Sequence, residues 1–164
     1  MPKILVIGHA RHGKDTVCEM LEELCGFSFQ SSSRVACEKF IFQDLRKKHG
    51  YGSVKECFDD RVNHRQEWFQ AICDFNRADP AKLAKILLQD NDIYCGMRSL
   101  KEFQSSKGLF DTIIWVDASE RHPLEPSNSN EMTLELADLV VDNNSDLESL
   151  RRKLTEICKE NKWI

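Results

Sequence analysis

Apolar positions follow two rhythms along this chain. Ile4–Ile7 is a continuous apolar run closed by Gly8, and Ile113–Val116 is another, the pattern of parallel strands buried on both faces. Val17, Met20, Leu21 and Leu24 instead recur at helical spacing and stop at Gly26, a natural C-cap. Phe27–Gln30 reads as a short second strand leading into the loop Ser31-Ser32-Ser33. Helical patterning then predicts helices at about 34–48, 53–60, 62–77 and 80–89, with Ser53 and Asp79 as caps and Pro80 in a first position. Strand character returns at Asp92–Met97, followed by a helix near 99–106 and a strand at Thr112–Asp117. Pro, Ser and Asn crowd His122–Asn130, which reads as a surface loop. Asp138–Asp142 is a last short strand, and Leu147–Lys159 a closing amphipathic helix.

Strands alternating with helices predict an α/β layered fold with a mainly parallel sheet flanked by helices. The helical stretch between the second and third strands is too long for a plain crossover. It is expected to form a helical cap, an insertion at about 34–90, over the carboxyl edge of the sheet where such folds bind ligands. The chain has 164 residues, enough for one domain, and shows no internal repeat or second domain boundary, so residues 1–164 are read as a single domain. No apolar run approaches the ~20 residues of a membrane span, and Met1-Pro2-Lys3 runs straight into the first strand without a signal-peptide pattern. Seven cysteines without a CxxC pair read as small core hydrophobes in a reducing, intracellular setting. The net charge of −4 conceals an asymmetry: residues 34–65 hold eight Lys/Arg against five Asp/Glu, whereas 117–148 hold nine acids against Arg121 alone. A basic middle with an acidic tail points to a local anion site rather than a broad nucleic-acid face.

The sharpest chemical signal is Gly8-His9-Ala10-Arg11-His12-Gly13-Lys14-Asp15-Thr16, between the first strand and the first helix. Two glycines five apart let the backbone curl so that successive N–H groups face a phosphate, and the helix N-terminus adds partial positive charge. In that reading Gly8, Arg11, His12 and Gly13 cradle the polyphosphate of ATP. Lys14 neutralises its β- and γ-phosphates, and the Thr16 hydroxyl helps hold Mg²⁺. Asp15 stands where the strict motif has Ser or Thr, one place before Thr16.

A threonine displaced by one residue after Gly-Lys resembles nucleoside monophosphate kinases, and Gly-Lys-Asp-Thr resembles the phage-type deoxynucleoside monophosphate kinases. Met97-Arg98-Ser99-Leu100-Lys101-Glu102 is similar to the segment after the third strand of those kinases and of dephospho-coenzyme A kinase. Ile113–Asp117 and Ala137–Asn143 are similar to their last two strands. The resemblance implies a three-layer P-loop NTPase fold, ATP and Mg²⁺ as cofactors, a nucleotide substrate, and action in the host cytoplasm if phage-encoded. Two departures stand out. The end of the third strand, Tyr94-Cys95-Gly96-Met97, lacks the family's metal-assisting Asp, a place that Asp15 is expected to fill. The region after the fourth strand offers only Arg121, with His122, where such kinases carry an arginine-bearing lid.

Phosphoryl transfer needs positive charge along the path shared by two anions. Arg34, Arg61, Arg65, Arg98 and Arg121 are the candidates, with Glu102 placed to orient Arg98. Arg61 and Arg65 share a helix face and, near Trp68 and Phe69, make an anion clamp beside a base-stacking surface. The alternative for that pair is a solvated face ion-paired to Asp59 and Asp60. Trp68, Phe69, Ile72 and Phe75 recur at helical spacing and read as core, and Ser31–Ser33 as either a phosphate contact or an ordinary loop before a helix. The leading functional expectation is an ATP-dependent kinase of a deoxynucleoside monophosphate, with Lys14, Asp15 and Arg98 catalytic. One alternative is a kinase of a hydroxyl acceptor, such as 5-hydroxymethyluracil in phage DNA, with Asp15 or Asp44 as base; only there would nucleic acid be a partner. Another is a nucleotide-binding module that transfers nothing.

Overall fold

A computed structural model describes residues 1–164. Its centre is a five-stranded, wholly parallel sheet in the order β2-β3-β1-β4-β5. The strands are β1 (Ile4–Ile7), β2 (Phe29–Ser31), β3 (Ile93–Cys95), β4 (Thr112–Asp117) and β5 (Leu139–Asp142). β1 lies at the centre, with Ile4–Val6 in register with Ile93–Cys95 on one side and Ile4–Ile7 with Thr112–Trp115 on the other. All four β1 residues are buried, which is why their run carries no polar position.

Successive strand residues face opposite layers. Ile4, Val6, Ile114 and Val116 meet Val17 and Leu21 of α1 (Lys14–Cys25) and Leu150 and Leu154 of α8 (Leu147–Glu160). Leu5, Ile7, Ile113 and Trp115 face the other way, onto α2 (Ser32–Ala36), α3 (Phe42–His49), α5 (Arg65–Phe75), α6 (Lys82–Asp90) and α7 (Leu100–Ser106). This is the three-layer α/β fold expected from the sequence.

The helical block is not a separate cap throughout. Val35, Ala36, Leu83, Ala84 and Leu87 join one core with the sheet, and α6 packs on α2 and β3. Leu45 of α3, Cys57 of α4 (Val54–Asp59) and Trp68 of α5 join the same core. α2 and α3 are one helix joined by a π turn at Cys37–Ile41 rather than a regular helix from 34.

Most caps fall where composition places them. Gly26 ends α1 at φ 71°, and the Ser53 side chain accepts the Glu56 N–H. Asp79 accepts the Ala81 N–H two residues ahead of α6, so Pro80 sits just before the helix, not inside it. All seven cysteines are free. No helix is long and apolar enough to cross a membrane.

The segment after β4 departs most from expectation. Far from lying wholly on the surface, it folds back over the β1–α1 turn and buries Ser129, Asn130 and Met132. Apolar Met132 anchors it in the core, while Leu124 stays 64% exposed at its tip.

Candidate active site

The β1–α1 turn takes a shape that only its sequence permits. Gly8 (φ 151°), Arg11 (φ 65°) and Gly13 (φ 95°) all have positive φ. A Cβ on Gly8 would lie 2.6 Å from the Val116 carbonyl oxygen, and one on Gly13 would strike the Asn143 side chain. Both glycines are therefore required by close approach as well as by dihedral.

Two side chains hold this loop from behind. His12 is fully buried; its Nδ1 accepts the Ala118 N–H at 3.0 Å, so Nε2 carries the proton and donates to the Pro123 carbonyl at 3.2 Å. The His12 side chain is thus a clamp between the loop and the segment after β4, not a phosphate ligand. Asn143, at the end of β5, donates Nδ2 to the His12 carbonyl at 2.9 Å. The role of the final Asn is to brace the loop, which the sequence did not disclose.

Lys14 lies at the head of α1 with Nζ donating to the His9 carbonyl at 2.8 Å. Burial, and then the charge of Arg98, hold its ammonium below the ordinary lysine range, so it has a strong electrostatic incentive to meet an anion. Thr16 lines an open cleft of about 710 Å³ together with Arg11, Gly13, Arg121 and Asn143. Arg121 donates Nε and Nη2 to the Asn143 carbonyl at 2.9 and 2.6 Å, which fixes its guanidinium at the cleft wall.

Asp15 is exposed, and its Oδ1 accepts from the Cys95 thiol at 3.4 Å. The carboxylate missing from the end of β3 is therefore replaced in space by one from the first turn of α1. Thr16 and Asp15 offer the hard oxygen donors that Mg²⁺ takes, at the head of α1 beside the glycine turn, so the residues present fit Mg·ATP. Bound there, the ion would neutralise phosphate charge; Lys14 and the loop amides would orient the chain of phosphates.

The arginines converge near Lys14, whose ammonium feels the charge of Arg98. Arg61, Arg65 and Arg98 line one recess with Ser33, Trp68 and Phe69. Arg61 lies 3.8 Å over the Phe58 ring and donates Nη1 to the Phe58 carbonyl, and burial lowers its basicity. Arg65 is likewise shifted down, by burial and then by Arg98. Three guanidiniums border one recess and outnumber the single carboxylate paired with them, Glu125, an arrangement that favours anions. Trp68 is core, as its spacing implies, but its buried Nε1–H has no partner and it also borders the recess. The free volume there is about 30 Å³, room for a water or two. A nucleotide-sized acceptor enters only if α5 and its neighbours give way.

Three candidates fall elsewhere. Glu102 does not orient Arg98: it is 2% exposed and accepts the Tyr94 hydroxyl at 2.5 Å beneath β3. The acid that does pair with Arg98 is Glu125, at 2.5 Å, from the segment read as a surface loop. Arg34 pairs with Glu38 at 2.9 Å and lies outside the recess. Asp44 opens on a different groove, with Phe40, Glu67 and Phe75. His49, His64 and Glu67 also cluster in the cap, and their atoms already pair with one another and with Lys48 and Asp60. Nothing local announces Glu125, since an acid between two prolines looks like solvent-facing loop.

No protein-family model matches the chain, and no curated protein does. Among solved structures it is similar to a shikimate kinase of Acinetobacter baumannii in complex with shikimate, at 16% identity, covering 99% of this chain and 95% of that one, TM-score 0.56. It is also similar to the dephospho-CoA kinase of Campylobacter jejuni, at 16% identity over 96% of each chain, TM-score 0.54. A shikimate kinase of Aquifex aeolicus follows at 16% identity over 98% of each chain, TM-score 0.51. At such identities the likeness is one of fold. That fold is a parallel five-stranded sheet between layers of helices, shared with these kinases.

Proposed function

We propose that this protein is an ATP- and Mg²⁺-dependent phosphotransferase acting on a deoxynucleotide-type acceptor, a deoxynucleoside monophosphate first of all. The carrying observation is the position of Lys14. It follows Gly13, which lines an open cleft with Thr16 and Arg121, and its ammonium feels the charge of Arg98, which lines a recess with Arg61 and Arg65. Two anionic substrates, one in the cleft and one in the recess, would meet at that lysine. Gly8, Arg11, His12 and Gly13 shape the loop around the triphosphate, chiefly through their backbone. Arg61, Arg65 and Arg98 receive the acceptor phosphate, with Trp68 and Phe69 as the apolar wall for a base. A monophosphate oxygen is ionised near neutral pH, so the chain need supply no base; positioning and charge neutralisation suffice.

Asp15 favours a second reading. An exposed carboxylate at the end of β3, close enough to Arg61 to influence it, is placed to take a proton from a hydroxyl acceptor. Shikimate kinase, one of the proteins of similar fold, points the same way by its name alone.

Incubation with Mg²⁺ and γ-labelled ATP separates the two. The acceptor panel holds the deoxynucleoside monophosphates, dephospho-coenzyme A and hydroxymethyluracil-containing DNA. Label on a deoxynucleoside monophosphate is the expected result. Label only on a hydroxyl acceptor transfers the case to the second reading, and no label with any acceptor refutes both.

A further inference from the structure

The arginine recess and the glycine turn already share an anion, and it belongs to the chain itself. Glu125 Oε1 accepts from Arg98 Nη1 at 2.5 Å and faces Arg65 Nη1 at 3.7 Å. Its Oε2 accepts the backbone N–H of Ala10, inside the turn, at 3.0 Å and Asn130 Nδ2 at 2.9 Å. The side chain is only 7% exposed. A main-chain amide of the loop, two guanidiniums and the nearby Lys14 ammonium are donors that the proposed function divides between the triphosphate and the acceptor phosphate. A carboxylate on those donors is a chemical stand-in for phosphate oxygens.

The segment bearing it is built as a strap. At one end the Ala118 N–H is fixed to His12 Nδ1; at the other Asn130 reaches the Gly8 carbonyl at 3.4 Å and Met132 sits in the core. Between these anchors Pro123, Leu124, Pro126, Ser127 and Asn128 are exposed. Glu125 touches the loop twice, since its own N–H donates to His9 Nδ1 at 3.1 Å. Burial alone would raise the carboxyl, but the charge and hydrogen bond of Arg98, with Asn130 and Ala10, take it below its usual range.

We propose that Glu125 is a resident specificity residue: its carboxylate occupies the phosphoryl subsite in the free protein, and a polyphosphate must displace it to reach Lys14 and the Ala10 amide. The inference rests on the phosphate-binding reading of the turn. Two anions cannot share donors a few ångströms apart, so Glu125 sets a threshold. Weak monoanions fail to dislodge it, whereas a multiply charged phosphate chain gains more from the same donors than one carboxylate does. A strap of this kind also explains how a chain with a single arginine between β4 and β5 governs access to its site: it excludes rather than closes over the phosphates.

Calorimetry with Mg·ATP and with inorganic tripolyphosphate tests this on wild type, Glu125→Gln and Glu125→Ala. Gln keeps the size and one carbonyl acceptor but removes the competing charge, and both ligands should bind it about tenfold more tightly or better. Equal or weaker binding by Glu125→Gln overturns the proposal, because a purely structural latch, a metal ligand or a catalytic base would all give that result. If no variant, wild type included, binds either ligand, the phosphate reading of the turn fails and the proposal with it; if all bind alike, only the strap fails. Hydrogen exchange on wild type gives a readout free of mutation. Tripolyphosphate should speed exchange at the Glu125 amide, while the Ala10 amide stays protected by the phosphate that replaces the carboxylate, and slowed exchange at Glu125 would overturn displacement.

Discussion

Glu102 offers the most quantitative check on the structure. Its carboxyl lies 2% exposed under β3 with the Tyr94 hydroxyl as partner, and burial pushes it up to about 7 from an ordinary 4.5. The folded state therefore keeps this proton to higher pH than the unfolded chain does. Stability from the group is fully present below about 4.5, falls as pH rises towards 7, and stays lost above. At about 1.4 kcal/mol per pH unit, the loss approaches roughly 3 kcal/mol. Glu102→Gln cannot ionise yet still accepts from Tyr94, so it should match wild type near pH 4.5 and exceed it by about 2–3 kcal/mol at pH 8. For a domain of this size that is a rise of about 5–10 °C in Tm. Urea unfolding of both proteins at half-unit steps of pH reads the difference directly. Parallel stability profiles across pH 5–8, or a Gln variant weaker than wild type at pH 8, would refute the buried-carboxyl account.

Other changes probe the site. Lys14→Ala should cut phosphoryl transfer about a hundredfold or more while leaving circular dichroism and Tm near wild type, measured by label transfer and thermal melting. Arg98→Ala should raise the acceptor KM about tenfold or more with little change in ATP affinity; a loss confined to ATP would move Arg98 to the nucleotide side. Asn143→Ala strands the buried His12 carbonyl and should cost about 1–2 kcal/mol in urea unfolding, together with weaker Mg·ATP binding by calorimetry.

Much of this was legible in the chain because it is local. The run Ile4–Ile7, the glycines at 8 and 13, the Ser53 and Gly26 caps and the boundaries of β4 each follow from one residue's geometry or a short period. Arg61 and Arg65 do line one recess, but not as neighbours on a helix face as their spacing suggests: Arg61 lies in a 3-10 turn, Asp60–Asn63, and Arg65 opens α5 after the break at His64. Glu102 was misplaced for a similar reason: four residues after Arg98 satisfies helical spacing, yet the start of α7 at Leu100 turns the acid inward to Tyr94. His122–Asn130 was misread because proline and asparagine mark a loop without saying what it covers.

Sequence by itself determined the alternation of strand and helix and the glycine turn that precedes Lys14, since these depend on dihedral preference and periodicity within a dozen residues. Tertiary structure alone decided the order β2-β3-β1-β4-β5, which sets Asp15 against Cys95 and Asn143 against His12. It alone also brought Glu125 across more than a hundred positions to the Ala10 amide. Such encounters arise from packing a whole sheet between two helical layers, where burial area and mutual fit select the partners, and no short stretch of residues contains that information.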